Sequence, residues 1–215
     1  DSYHHLEEDV KSMKEVGLLA CRFSISWPRL FPNGDQMLNE KGLDFYDKLV
    51  NLLLENQIVP YITLYHWDLP QTLQENGGWS NRKTADAFTY YAKFVANHFK
   101  NNVKHFITLN EPQIFIMLGL QSGVHAPGLR LSDEKLFVCV HNALLAHGMA
   151  VKAIRKAAPD SMIGISSTGK LCYPVEESQE NIEAAERQCF TFDNTSWLFT
   201  HTLFLDPVIF GKYPE

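Results

Sequence analysis

Phe106-Ile107-Thr108-Leu109-Asn110-Glu111-Pro112 is a short apolar run that ends in a side-chain amide followed by a carboxyl group. Pro112 has no N–H for a sheet ladder and pushes the residue before it out of the helical region, which places Glu111 at the carboxyl end of a strand. Barrels of alternating strands and helices keep their chemistry at that end, and a glutamate there is a candidate proton donor. Alone, Asn-Glu-Pro reads as a strand end that solvates a loop or salt-bridges a neighbour. The rest of the chain reverses that reading.

Working outward, the run closes a helix-to-strand unit that recurs along the chain. Phe88, Tyr91, Val95 and Phe99 lie on one helical face ahead of the strand 106–109. Leu6, Val10, Met13 and Val16 mark an earlier helix, Gly17 supplies its stop, and 18–25 is β-rich. Leu43, Tyr46, Val50 and Leu53 mark another, capped by Asn39, ahead of a β-branched and aromatic strand over 58–65. Val140, Leu144, His147, Val151 and Ile154 precede a strand at 162–166, and 181–210 reads as helix again with Pro207 near its end.

Helices alternating with short, almost wholly apolar strands predict a parallel sheet covered by helices, an α/β fold. The segments after the strands (27–39, 66–80, 112–132, 168–181) are long and rich in Pro, Gly, His and Trp, whereas those before the strands are short. That asymmetry marks the active face of a (β/α)8 TIM barrel, which needs eight strands and about 250 residues. Four strands are counted, so residues 1–215 are read as a single partial-barrel domain, truncated at both ends because the chain starts at Asp1 without Met and stops at Pro214-Glu215.

With 215 residues and 45% hydrophobic content, the chain is long enough to bury a sizeable core. A net charge of -6 with no Lys/Arg cluster argues against nucleic acid as a partner. No uninterrupted apolar stretch reaches the roughly 20 residues a bilayer requires, and the charged start lacks a signal peptide's apolar centre, so no membrane segment is predicted. Cys21, Cys139, Cys172 and Cys189 have no short paired spacing; reduced thiols and a cytoplasmic location are the expectation.

Arg22 interrupts the first strand, in Cys21-Arg22-Phe23-Ser24-Ile25-Ser26-Trp27. An arginine there either meets a carboxylate inside the barrel or lies at an exposed edge, and the paired reading is preferred because buried charge is rarely unpaired. The second strand runs out in Tyr65-His66-Trp67-Asp68-Leu69-Pro70, where an imidazole beside an indole suits a sugar's hydroxyls and apolar ring face. His66 alone would read as a satisfied structural histidine. No second His or carboxylate stands at a metal-binding spacing, and neither metal nor cofactor is predicted.

Taken together, these segments resemble glycoside hydrolase family 1, the β-glucosidase and 6-phospho-β-glycosidase family. The resemblance is carried by Asp1-Ser2-Tyr3-His4, Arg22 to Trp27, Tyr65 to Pro70, Thr108 to Pro112, His125-Ala126-Pro127-Gly128 and Asp206-Pro207-Val208, in family order. It implies a retaining β-glycosidase in which Glu111 is the acid/base, Asn110 holds the sugar 2-hydroxyl, and Arg22 lies beside the nucleophile. His66 and Trp67 match glycone-pocket residues. The chain would then carry barrel strands 2 to 5 and helices 1 to 5, about half the family's length. The family's nucleophile segment, Thr-Glu-Asn-Gly, does not occur here, so the isolated chain is expected to be inactive. Ser166-Ser167-Thr168-Gly169 also lacks the Asn often found after strand 5.

Adjacent strand residues point to opposite faces, so if Asn110 and Glu111 both reach one sugar the pleat must break there, as a bulge or a turn. The implied partner is a small-molecule or oligosaccharide β-glycoside. The alternative is a non-catalytic sugar-binding module that kept the barrel and lost the reaction. A half-barrel would expose strand edges through which it could self-associate.

Overall fold

The computed structural model describes residues 1–192 and 197–214. Helix α1 (Leu6–Glu15) buries Leu6 and Val10, carries Glu7, Glu8 and Asp9 in its first turn, where the helix dipole favours negative charge, and gives way to Gly17 at φ +78°. Strand β1 (Ala20–Ser24) follows, then the short α2 (Trp27–Leu30) and the long α3 (Glu40–Glu55), whose Leu43, Tyr46, Val50 and Leu53 are all buried. Strand β2 (Val59–Tyr65) leads through α4 (Gln71–Glu75) and a 3₁₀ turn (Gly78–Ser80) to α5 (Lys83–Phe99). Strand β3 (His105–Asn110) is followed by α6 (Pro112–Ile114), a π-helical stretch (Phe115–Gln121) and α7 (Asp133–Ala157). Strand β4 (Met162–Ser166), α8 (Gln179–Phe190) and α9 (Thr202–Ile209) complete the chain.

The four strands form one parallel sheet in the order β1-β2-β3-β4, so each strand pairs with the next along the chain. Each βαβ crossover lays its helix on the same face, and the strand residues on that face, among them Ile62, Leu64 and Phe106, are buried. The opposite face carries two cross-strand rows: Arg22, Tyr61, His105 and Met162 in register, then Ser24, Thr63, Ile107 and Gly164. On that face the Tyr61 and His105 rings stack at 4.0 Å, while Arg22 and Ser24 on the edge strand are exposed.

Under the carboxyl ends of the strands lies an aromatic cluster. Tyr91 of α5 stacks on Trp27 at 5.2 Å, and its hydroxyl donates to the carbonyls of Ile25 and Leu64, at 3.2 and 2.9 Å. One buried phenol thus ties off the ends of β1 and β2, satisfying carbonyls that the ladder leaves behind. Burial raises that hydroxyl's pKa well above its ordinary value.

The secondary-structure elements depart from the sequence reading in four places. Asn39 stands at the N-cap of α3, where its carbonyl accepts from Leu43 N at 3.2 Å, but its side chain makes no cap bond; its Nδ2 donates instead to the Arg29 carbonyl at 2.9 Å. The segments after the first three strands are not irregular loops, since they hold α2, α4, the 3₁₀ turn, α6 and the π-helical stretch. The helix expected over 181–210 is divided into α8 and α9, with Thr191 already extended at φ -74°, ψ 131°; residues 193–196 of that expectation lie outside the described residues. Finally, α7 is long and apolar enough to cross a membrane by length and composition, although no such segment was expected. Its apolar character has a local use, since Leu136, Val140, Ala143, Ala150 and Ile154 are buried in the helix-covered core.

His147 of α7 is 8% exposed, and its Nδ1 lies 2.7 Å from Thr108 Oγ1 on β3. Desolvation pushes the imidazole down to about 4, so the folded state holds it neutral. An unfolded histidine titrates near pH 6.5, so the stabilisation is complete above that value and is lost as pH falls through about 4; the full difference is roughly 3 kcal/mol. Urea unfolding between pH 7 and 4 is expected to show this loss, and His147→Gln should flatten it. An unchanged pH dependence in the variant would contradict the assignment.

Candidate active site

The site begins with a miscount between two strands. Ile107 pairs with Gly164 and Asn110 with Ser166, so three steps along β3 stand opposite two along β4. The extra residue is a bulge, and it returns Asn110 to the face that Ile107 occupies, where strict alternation would have turned it away. The next residue breaks the pleat completely: Glu111 adopts φ 44°, ψ 65°, a left-handed conformation unusual for a residue with a Cβ. Its N–H still reaches the Ser166 carbonyl at 2.7 Å, and its own carbonyl accepts from Ile114 N at 2.9 Å as Pro112 starts α6. The pleat break required by the sequence reading is therefore present at the predicted residues.

Asn110 is 4% exposed and gathers the neighbouring groups. Arg22 donates from Nε to Thr63 Oγ1 at 2.8 Å and from Nη2 to Asn110 Oδ1. A guanidinium has only donors, so Oδ1 must face it and the amide cannot be flipped. Asn110 Nδ2 accordingly points at His66 Nε2, 3.2 Å away. The Asn110 backbone carbonyl accepts from Trp67 Nε1 at 2.8 Å, and Trp67 itself sits at φ 83°. A single residue thus bonds to side chains from β1 and from the segment after β2.

The structure brings Arg22, His66, Trp67, Asn110 and Glu111 to the carboxyl edge of the sheet. Glu111 is half-buried; Arg22 and His66 are exposed. The expected carboxylate partner for Arg22 is not found among the described residues. As a member of the edge strand, this guanidinium is not forced into a dry environment and is held by the neutral oxygens of Thr63 and Asn110. Several contributors were given no site role from sequence: Thr63, which steers Arg22; His125, whose ring lies 5.6 Å from Trp67; and Asp68, whose carboxyl pKa is raised by burial. Ser167, directly after β4 in the stretch that lacks the family's Asn, accepts from Gln113 Nε2 at 2.6 Å. A polar residue directly after a strand was the only signal available for Ser167.

A cavity of about 810 Å³ runs along β1 between α1 and the sheet and reaches Arg22, Thr63 and His66 but not Glu111. Its walls are mostly the helix-side residues Leu6, Val10 and Tyr46, so its size says little about the polar cluster. A smaller one of about 180 Å³ is lined by Trp67, Asp68 and Pro127 among others. Among the described residues, no three His, Cys, Asp or Glu side chains converge as a metal site would require.

A family model described as Glycosyl hydrolase family 1 matches residues 1–215. Beta-glucosidase A of Acetivibrio thermocellus is 50% identical across all of this chain and 46% of its own length. The 1,4-beta-D-glucan glucohydrolase of Thermotoga neapolitana is 44% identical across all of this chain and 49% of its own. Among solved structures, the family 1 b-glucosidase of Thermotoga maritima superposes with a TM-score of 0.88 at 42% identity, covering all of this chain and 47% of that one. Other structures of the Thermotoga maritima beta-glucosidase hold glucoimidazole or deoxynojirimycin. The chain spans about half the length of these relatives.

A left-handed backbone at a residue with a Cβ costs about 1–2 kcal/mol. Replacing Glu111 by Gly removes that strain but adds freedom to the unfolded chain, so Glu111→Gly is expected to leave stability unchanged or raise it by up to about 1 kcal/mol in urea unfolding. A loss of more than about 1 kcal/mol would show that the Glu111 side chain supports the fold.

Proposed function

The chain belongs to glycosyl hydrolase family 1, and we propose that a protein carrying it hydrolyses terminal β-glycosidic bonds of β-glucosides or related sugars with retention. In this reading Glu111 protonates the departing glycosidic oxygen and then, as a base, activates the water that releases the sugar. The observation that carries it is the bulge in β3 followed by the left-handed turn at Glu111, which puts Asn110 and Glu111 together at the edge where such sheets do chemistry.

Asn110 is proposed to hold the sugar 2-hydroxyl. Beyond the bonds to Arg22 and His66, its Oδ1 keeps a second lone pair and its Nδ2 a second hydrogen, so the amide can serve a sugar without releasing either neighbour. His66 and Trp67 are proposed as further glycone contacts, the first through Nδ1, since its Nε2 faces Asn110, and the second through its indole face. The complexes of the Thermotoga maritima protein with glucoimidazole and deoxynojirimycin support a small-molecule sugar as ligand.

Retention needs a second carboxylate about 5–5.5 Å from the first. The family's Thr-Glu-Asn-Gly segment does not occur in these 215 residues, so we propose that the isolated chain does not turn over and that Arg22 faces the missing nucleophile. We also propose that the isolated chain self-associates along β1 and β4, the outer strands of the four-strand sheet. Exposed Leu19 beside one edge and Met162 in the other support this, and light scattering of the isolated chain reads it.

Aryl β-glucoside turnover by the 215-residue chain is expected to be negligible; family-like rates would overturn the assignment of the nucleophile to residues outside it. In a family-length protein, Glu111→Gln should slow poor leaving groups by about 10²–10⁴-fold while sparing formation of the intermediate from an activated aryl glycoside, with azide restoring its breakdown. Undiminished hydrolysis of a poor leaving group would exclude Glu111 as the acid.

A further inference from the structure

Two cysteines that stand apart in sequence meet beyond the carboxyl end of β4. Cys172 N–H donates to Cys189 Sγ at 3.0 Å, and Cys189 Sγ–H donates back to the Cys172 carbonyl at 3.6 Å. A sulfur that touches both the N–H and the C=O of one residue lies across that residue's backbone, which holds the two Cα atoms within about 7 Å, close to the span of a disulfide. Cys189 is buried in the last turn of α8, and Cys172 is half-buried in the segment between β4 and α8. Both are free thiols here. The other two cysteines lack such a meeting: Cys139 is buried in α7 with Ser80 Oγ at 3.3 Å, and Cys21 lies in β1.

We propose that Cys172 and Cys189 are a reversible disulfide pair, closed by a low-molecular-weight disulfide such as oxidised glutathione. Cys172, the more accessible thiol, loses its proton and attacks one sulfur of the small disulfide; that S–S bond breaks and the first glutathione thiolate leaves and is protonated. Cys189, deprotonated in turn, attacks Cys172 Sγ and expels the second glutathione. The protein dithiol gives up two electrons and two protons, and the small disulfide becomes two thiols.

Closure would tie the middle of the segment after β4 to the end of α8. Ser167 in that segment accepts from Gln113, two positions past Glu111, so the cross-link would stiffen backbone that adjoins the rim residues. The segment has few other anchors: Leu171, Tyr173 and Val175 are exposed at 66, 77 and 93%. This inference stands on the thiol geometry and does not depend on the reaction proposed above.

The test is to equilibrate the native 215-residue chain in glutathione redox buffer, block free thiols with N-ethylmaleimide and digest with trypsin. Cleavage after Lys170, Arg187 and Lys212 separates the two cysteines into peptides 171–187 and 188–212. These are expected as a linked, dithiothreitol-reversible species two hydrogens lighter than their sum, exceeding any other cysteine pairing at least about tenfold because the partner thiol is held nearby. Cys189→Ser should stop at a glutathione adduct on Cys172. A wild-type chain that accumulates only such adducts, pairs other cysteines equally, or leaves both thiols blocked by maleimide would overturn the proposal.

Discussion

The hydrogen bond between the Arg22 guanidinium and the Asn110 side-chain oxygen orders the polar edge of this sheet. Because a guanidinium only donates, it dictates which end of the amide faces β1, and the other end is then committed to His66. The bond exists only because β3 carries one residue more than β4 between Ile107 and Asn110. Without that bulge, Asn110 would face the helices with Thr108, where His147 already occupies the polar contact.

Two residues beside this bond adopt left-handed backbone, Trp67 at φ 83° and Glu111 at φ 44°. Such conformations cost of order 1–3 kcal/mol each and persist only where surroundings hold them. Here the surroundings are identifiable: the Trp67 indole donates to the Asn110 carbonyl, and Glu111 N donates to Ser166. Each net hydrogen bond is worth about 1 kcal/mol, and those to a charged donor such as Arg22 are worth more. The edge is thus maintained by a few local bonds acting against local strain, as is usual where backbone is bent to serve a ligand.

The helical stripes were legible in sequence because burial of one face has a fixed period, and each of the four strands lies within two residues of its predicted limits. The broken pleat could be anticipated because two neighbouring residues cannot both serve one face of a regular strand. Partners across the fold were harder to read. Periodicity tells that Arg22 sits in a strand but not that it is an edge strand wet enough to be satisfied by Thr63 and Asn110. Asn39 has the composition of a helix cap, yet the Arg29 carbonyl takes its side chain. His147 lies on an apolar stripe, where nothing local reveals the threonine opposite. Cys172 and Cys189 have no telling spacing, since their approach is set by how α8 returns to the end of β4. One-dimensional pattern reports which face is buried; it carries no record of which groups on that face meet.

The chemical claim turns on what Asn110 does for a bound sugar, and a substrate-and-residue cycle reads this most directly. In a family-length protein carrying this chain, kcat/KM would be measured for the wild type and Asn110→Ala on an aryl β-glucoside and on its 2-deoxy analogue. The account predicts that the substitution costs about a hundredfold more on the glucoside than on the 2-deoxy sugar, because both lose the ordering of Arg22 and His66 but only the glucoside loses the bond to its 2-hydroxyl. An equal loss on both substrates would contradict it, showing that Asn110 supports the edge of the sheet without touching the 2-hydroxyl.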